Sequence, residues 1–255
     1  MKKYYLVIFI FLYLLPFMYL YGYYTGLCKR NKKYICTKNF CLYKIFNIYL
    51  NTPIKKEIHL LLQNNKVKKR VNIGYDFLPE SLFNCAIPNK KGVTIPTSIL
   101  VNKAPKLIEY YNNKLCDLIS HKLNLKLFPT DLKLPTSCSI LIYEKEGDWI
   151  NWHYDHNYYK GRFFTVLIPI TNSLTCTKFE FVNNNTNRIE SIDLINNTSI
   201  CFEGNYLYHR ASKLCKNQRR IILSCQYVTD NEMTDINKYR IKLKDFAYTG
   251  KLFNS

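Results

Sequence analysis

Two histidines and one aspartate in the second half of the chain have residue types and a spacing suited to binding a transition metal. His153 and Asp155 lie two residues apart in the segment Trp152–His156, and the only later histidine in the sequence is His209. In a β-strand, residues i and i+2 point to the same face, so His153 and Asp155 could share a site that His209 completes from a later strand. Two imidazoles and one carboxylate leave metal positions open, as in non-heme Fe(II) oxygen chemistry. Taken alone, the pattern equally fits a hydrogen-bonded His–Asp pair at the surface.

A basic residue follows His209 at a position where a strand is expected to enter the core. Arg219 comes ten residues after His209 and directly precedes the apolar segment 220–228. A guanidinium that faces inward from such a strand needs a buried anion, and a dicarboxylate co-substrate supplies one through bidentate pairing. Arg220 is adjacent to Arg219, and a one-residue bulge would transfer the role to Arg220; we favour Arg219.

The elements that must position these residues are mostly short strands. The periods of the apolar residues favour helices at Ile54–Gln63 and Lys106–Leu125, whereas residues 71–100 are predicted to be mostly irregular. From Ser137 onward the period changes to two, and strands separated by turn residues predict a sandwich, a barrel or a jelly roll. The predicted strands are Cys138–Tyr143, Trp149–His153, Phe163–Ile170, Lys178–Val182, Arg188–Leu194, Ser199–Glu203 and Arg220–Val228.

Several of these segments, taken together and in order, resemble one known family. The matching pieces are Trp152–Asp155, Gly161–Leu167, Phe179–Phe181 and the later His209 with Arg219, within about residues 137–228. They resemble the Fe(II)- and 2-oxoglutarate-dependent dioxygenases, in the prolyl-4-hydroxylase-like branch. Two features depart from the family pattern: Asn217-Gln218 replaces the usual glycine before the basic residue, and the acidic-Gly-Gly loop before the Phe-x-Phe strand is absent.

The resemblance implies a fold, a set of cofactors and roles for particular residues. The fold would be mainly β, a double-stranded β-helix (jelly roll) with N-terminal helical elements. The cofactors would be Fe(II), 2-oxoglutarate as co-substrate and dioxygen, with ascorbate as an accessory reductant. The reaction would hydroxylate a C–H bond and release succinate and CO2. The implied metal ligands and catalytic residues are His153, Asp155 and His209; the implied co-substrate-binding residues are Arg219, Tyr143 and Thr165, the last within an Arg-x-x-Thr strand that begins at Arg162.

The N-terminus predicts a membrane anchor. The chain has 37 Lys and Arg against 18 Asp and Glu, a net charge of +19, yet no charged residue occurs from Tyr4 to Cys28. About 20 apolar residues cross the hydrocarbon core as a helix, so we predict a transmembrane helix and a single-pass membrane protein; a cleaved signal peptide is the alternative. Fourteen of the basic residues and one acid, Glu57, lie in residues 1–70. Because basic residues flank both ends of the apolar run, the side of the membrane is left open, and the charge favours a membrane surface over nucleic acid.

The sequence therefore predicts four regions and one preferred function. The regions are a transmembrane or signal-anchor segment at 1–28, a basic juxtamembrane and irregular region at 29–100, a jelly-roll dioxygenase domain with a leading helix at 101–230, and a tail at 231–255. The preferred function is a membrane-anchored hydroxylase of a peptidyl (prolyl or lysyl) or small-molecule substrate. One alternative is an oxidative nucleic-acid demethylase, although such enzymes carry a second Arg six residues after the first, where this chain has Cys225. The other is a non-catalytic, membrane-anchored jelly-roll binding protein.

Overall fold

The computed structural model describes residues 43–73, 90–172, 176–183, 186–195, 197–233 and 237. Within this part of the chain, no helix combines the length and the apolar character that crossing a bilayer requires. The predicted transmembrane segment at 1–28 lies outside the described residues.

The described residues form twelve strands and a small group of helices. The strands are β1 (Tyr43–Asn47), β2 (Lys69–Ile73), β3 (Lys90–Ile95), β4 (Phe128–Pro129), β5 (Cys138–Tyr143), β6 (Trp149–His153), β7 (Phe163–Asn172), β8 (Phe179–Asn183), β9 (Arg188–Ile192), β10 (Thr198–Phe202), β11 (His209–Ala211) and β12 (Arg220–Val228). The helices are α1 (Thr52–Gln63), a 3₁₀ turn (Asn65–Val67), α2 (Thr97–Lys103), α3 (Pro105–Tyr110), a π-helical turn (Tyr111–Leu115) and α4 (Cys116–Leu123).

The strands pair antiparallel in one curled sheet, in the order β1-β10-β7-β12-β5-β3-β6-β11-β8-β9, with β2 beside β3 and β4 beside β12. Strand β3 joins the two halves of the sheet because it pairs with both β5 and β6. The halves face each other: Leu167 and Ile222 of one half share a buried cluster with Phe179 and Phe181 of the other. Two opposed halves of one antiparallel sheet form a jelly roll, so the mainly β prediction is confirmed.

The helices cover the outer face of the half-sheet that contains β5, β7 and β12. Odd-numbered residues of β12, such as Ile221 and Leu223, share a large buried cluster with Leu107, Tyr111 and Ile119 of the helical segment. Side chains alternate between the faces of a strand, so the even-numbered residues of β12 point between the two half-sheets. Both faces of β12 are buried, and apolar residues accordingly occur on both of them.

The N-terminal part of the sheet differs from the sequence prediction. Strands β1, β2 and β3 lie within residues 29–100 and pair into the jelly roll, where an irregular juxtamembrane region was expected. The segment Lys90–Ile95, within the stretch 71–100 that was expected to be mostly irregular, is strand β3. Arg70, counted among the basic juxtamembrane residues, forms an ion pair with Asp148, a buried residue of the loop before β6. Part of the N-terminal charge is therefore structural.

Candidate metal centre

The three predicted ligands converge at one end of the jelly roll. His153 is the last residue of β6 and His209 the first of β11, and the two are direct partners in the antiparallel pair. Asp155 follows β6, and its backbone N–H donates to the carbonyl of Gly204 (2.8 Å). One potential ligand atom from each of His153, Asp155 and His209 lies within 4.8 Å of the others. The structure thus brings the three side chains together, which their spacing in the sequence alone did not establish.

Both imidazoles are oriented by backbone carbonyls. Nδ1 of His153 lies 2.6 Å from the carbonyl oxygen of Asn151, and Nδ1 of His209 lies 2.8 Å from that of Leu207. Each Nδ1–H donates to a carbonyl, so each Nε2 carries the lone pair that a metal needs. Burial lowers the pKa of His209, partly opposed by Asp155 and by the hydrogen bond to Leu207. The ring is therefore neutral at pH 7, as a metal ligand must be.

A hydrogen bond from Thr165 and a close approach of the Gly204 backbone help to fix the side chain of Asp155. The hydroxyl of Thr165 donates to Oδ2 of Asp155 at 2.6 Å. Oδ1 lies 3.7 Å from Nε2 of His153, on the side of the candidate metal position. A Cβ atom at position 204 would lie 2.2 Å from Oδ2, so only glycine fits against this carboxylate. Thr165, predicted to bind the co-substrate, contacts the carboxylate of the candidate ligand Asp155 in this structure.

A cavity of ≈ 80 Å³ extends from the ligands into the jelly roll. Its walls are largely apolar, with Leu141, Leu167 and Ile222 among the lining residues. Tyr143 and Arg220 also line it, on neighbouring strands where the two are direct partners. The cavity can hold several water-sized groups, and it connects a metal-type donor set with a cation.

Arg220 is a buried cation whose guanidinium lacks local partners. The residue is 2% exposed, and Nε and Nη1 have no hydrogen-bond partner among the described residues. Its guanidinium carbon lies 5.7 Å from the ring centroid of Tyr143. Burial lowers the pKa of Arg220, with Tyr143 acting in the opposite direction. Burial also raises the pKa of Tyr143 to about 12, against a lowering effect of Arg220, so the phenol is neutral and can donate. A carboxylate would satisfy this end of the cavity.

Arg219, the favoured anchor, does not line this cavity. Its side chain is 48% exposed, and Nη2 lies 3.8 Å from a carboxylate oxygen of Glu144. Alternate residues of a strand point to the same face. Arg220, Ser224 and Gln226 are separated by even numbers of residues and all line the cavity, whereas Arg219 is one residue out of step with them. The odd-numbered residues 221, 223, 225 and 227 pack toward the helices instead.

Glu203 and Gly204, which the sequence analysis gave no role in the site, support it. Glu203, 1% exposed, accepts two hydrogen bonds from Arg162, at 2.9 and 3.0 Å. The carbonyl of Glu203 accepts from the N–H groups of residues 206 and 207, which holds Gly204 against Asp155. The Arg162–Thr165 motif pointed to Arg162 from sequence alone. Its acidic partner Glu203 could not be found in the same way, because it lies 41 residues further along the chain. Trp152, next to the candidate ligand His153, stacks on Tyr208 with 5.3 Å between the ring centroids.

Comparisons with known proteins agree on the fold. No protein-family model and no curated protein sequence matches this chain. Among solved structures, a 2OG-Fe(II) oxygenase family member from Burkholderia pseudomallei is 12% identical, with a TM-score of 0.51 over 75% of this chain and 87% of that chain. The epimerase SnoN, solved in complex with Fe3+, alpha ketoglutarate and nogalamycin RO, is 11% identical, with a TM-score of 0.53 over 73% and 78%. A Pseudomonas putida prolyl-4-hydroxylase is 10% identical, with a TM-score of 0.49 over 74% and 93%.

The fold is therefore that of the 2OG-Fe(II) oxygenases, and the resemblance drawn from the motifs is confirmed at the level of the fold. The donor set and the buried guanidinium of Arg220 fit the two groups that such proteins hold, a metal and a dicarboxylate.

Proposed function

We propose that this protein is a membrane-anchored Fe(II)- and 2-oxoglutarate-dependent dioxygenase that hydroxylates a C–H bond of its substrate. The observation that carries the proposal is the cavity that contains both the His153–Asp155–His209 group and the unpaired guanidinium atoms of Arg220. A cavity with one cation alone would fit many anions. The combination with a two-imidazole, one-carboxylate donor set fits an oxo-dicarboxylate bound at a metal.

Each residue of the site has a distinct role in this proposal. Nε2 of His153, Nε2 of His209 and Oδ1 of Asp155 hold Fe(II), while Thr165 keeps the Asp155 carboxylate turned toward the metal. Arg220, backed by the neutral phenol of Tyr143, binds the distal carboxylate of 2-oxoglutarate. The apolar wall between them excludes water and aligns the co-substrate. When bound, iron and 2-oxoglutarate supply the oxidising chemistry with dioxygen, and the co-substrate leaves as succinate and CO2.

The substrate class follows from the resemblance stated above. We propose a peptidyl prolyl or lysyl residue, or a small molecule, as the substrate. Nucleic acid is disfavoured because neither Cys225 nor Gln226, six residues after the two arginines, supplies the second Arg of the oxidative demethylases.

The decisive test is co-substrate turnover by the full-length chain supplied with Fe(II), 2-oxoglutarate and ascorbate. We expect succinate formation that increases with the right member of a peptide and small-molecule panel, and no turnover by His209→Ala. Equal, background-level succinate from the wild type and His209→Ala would instead support the non-catalytic binding protein.

The anchor is proposed from the uncharged run at residues 4–28 and its basic flanks. We expect the full-length chain to stay in the membrane fraction after alkaline extraction, and a chain lacking residues 1–28 to be released. Release of both would refute the anchor while leaving the chemistry untouched. Glycosylation at the sequons of Asn184 and Asn196 would report the side of the membrane.

A further inference from the structure

A disulfide joins the segment before β8 to the segment between β11 and β12. It links Cys176 to Cys215, with 6.3 Å between their Cα atoms, a separation within the usual range for such bonds. Cys176 is half-buried and Cys215 is exposed. The bond therefore lies near the surface, where a thiol or disulfide partner can reach it.

The other cysteines among the described residues differ from this pair. Cys116, Cys138, Cys201 and Cys225 are buried and form no disulfide. The Sγ atoms of Cys138 and Cys225 lie 4.0 Å apart, about twice the length of a disulfide bond. Burial raises the pKa of the Cys116, Cys201 and Cys225 thiols, which keeps them protonated and makes them poor partners for thiol–disulfide exchange. Oxidation is therefore directed to the pair at the surface.

The disulfide continues a run of hydrogen bonds beyond the paired residues of β8 and β11. The N–H of Ser212 donates to the carbonyl of Lys178 (3.1 Å), and the N–H of Lys178 donates to the hydroxyl of Ser212 (2.8 Å). The hydroxyl of Thr177 then donates to the carbonyl of Lys213 at 3.3 Å. The covalent bond closes this run, so it fastens the far end of the strand that begins with the candidate ligand His209.

The same bond restrains the segment that leads to the Arg220 end of the cavity. Leu214, the neighbour of Cys215, is buried and shares a cluster with Tyr143. The N–H of Leu214 donates to the carbonyl of Asp148 at 2.8 Å. The bridged residues are 39 apart in sequence, so the bond removes many conformations from the unfolded chain. Its loss should lower the stability of the fold.

We propose that Cys176–Cys215 is a structural disulfide formed in an oxidising compartment, so that the jelly roll lies on the side of the membrane away from the cytosol. Disulfides persist in such compartments and are rare where glutathione keeps thiols reduced. The bond forms by exchange with a protein or glutathione disulfide. The two cysteine thiols are oxidised and their sulfurs join, while the electron pair and both protons pass to the partner, which becomes two thiols. The side of the membrane rests on the proposed anchor, whereas the bond does not.

The first test uses the full-length chain expressed in cultured insect cells and collected in sealed microsomes. Free thiols are blocked with N-ethylmaleimide in denaturant before any reduction, and the peptides are identified by mass spectrometry. We expect two peptides linked through Cys176 and Cys215, with Cys138 and Cys225 recovered as blocked thiols. We also expect the jelly roll to resist added proteinase K until detergent opens the microsomes.

Thermal unfolding of the purified full-length chain measures what the bond contributes. A phosphine reductant should lower the melting temperature of the wild type by about 10 °C, because it opens a loop whose ends are 39 residues apart. The matched control is the Cys176→Ser/Cys215→Ser double variant. It should unfold at the temperature of the reduced wild type and show no shift with reductant. A Cys138→Ala variant keeps the bond and should still show the shift.

Three results would overturn the inference. Recovery of Cys176 and Cys215 as blocked thiols would remove the bond, and digestion of the jelly roll in sealed microsomes would reverse its side of the membrane. A wild-type melting temperature that reductant leaves unchanged would deny the bond a structural role. The proposed function fails separately: a wild type with the bond on the protected side that binds no 2-oxoglutarate supports this inference and refutes the dioxygenase.

Discussion

Replacing Arg220 with leucine separates the two candidate anchors. The change removes a guanidinium whose Nε and Nη1 are buried without partners among the described residues. Two charge-assisted hydrogen bonds to a carboxylate contribute about 1.5 kcal/mol each, or ~3 kcal/mol together, so the 2-oxoglutarate dissociation constant should rise at least ~100-fold. The ligand-free Arg220→Leu protein should be as stable as the wild type or more stable, because it no longer buries an uncompensated charge.

Thermal unfolding of the Mn(II)-loaded full-length protein gives the readout. With 2-oxoglutarate at 100 times the wild-type dissociation constant, binding stabilises the wild type by about 2.7 kcal/mol, roughly 5–10 °C for a domain of 150–250 residues. A 100-fold weaker variant gains only about 0.4 kcal/mol from the same concentration. Arg219→Leu is the matched control and should keep the full shift, because Arg219 is half-exposed beside Glu144. A full shift in Arg220→Leu with none in Arg219→Leu would refute the assignment.

The remaining predictions concern the metal ligands and their supports. Gly204→Ala places a Cβ against Asp155, so Mn(II) affinity should fall at least ~10-fold by calorimetry; unchanged affinity would mean that Asp155 is not a ligand. Thr165→Val should also cost about 10-fold in Mn(II) affinity, whereas Thr165→Ser should restore it. Burial lowers the pKa of His209 below the ordinary 6.5, so the unfolded chain binds the extra proton first and the metal-free protein loses stability as pH falls through 6.5. Urea unfolding at pH 5.5 and 7.5 measures this loss, and a His209→Gln variant with the same pH dependence would contradict it. The pKa of Tyr143 is about 12, so 2-oxoglutarate affinity should not change through Tyr143 between pH 7 and 9; a titration there that Tyr143→Phe abolishes would contradict it.

The strand pattern of the jelly roll could be predicted from the sequence because short apolar or alternating segments are separated by turn residues. Cys138–Tyr143, Trp149–His153 and Arg220–Val228 match the observed bounds of β5, β6 and β12. Strand β11 was missed, since three residues are too few to show a period. Strand β3 was missed because Lys90 is buried against expectation, and Lys-Lys-Gly is typical of a turn.

The three candidate metal ligands could also be predicted from the sequence, but the residues that support them could not. His153 and Asp155 are close in sequence, and His209 is the only histidine after His156, so residue type and order were enough to name the three candidates. Gly204 and Glu203 act through contacts with Asp155 and Arg162, more than 40 residues away in sequence. These contacts form only when the sheet curls and brings distant segments together, so no local sequence pattern predicts them.

The choice between Arg219 and Arg220 depended on strand phase, and the phase was readable from β12 itself. Residues 221, 223, 225 and 227 are Ile, Leu, Cys and Tyr, whereas Ser224 and Gln226 share the parity of Arg220. In a strand buried on both faces, the face with polar side chains is the one that borders a cavity, because the other packs against apolar helices. Arg220 therefore belongs to the row that lines the cavity, whereas Arg219 precedes the strand and lies half-exposed beside Glu144. The same parity argument places Ser224 and Gln226 on the cavity wall together with Arg220, and all three line the cavity in the structure.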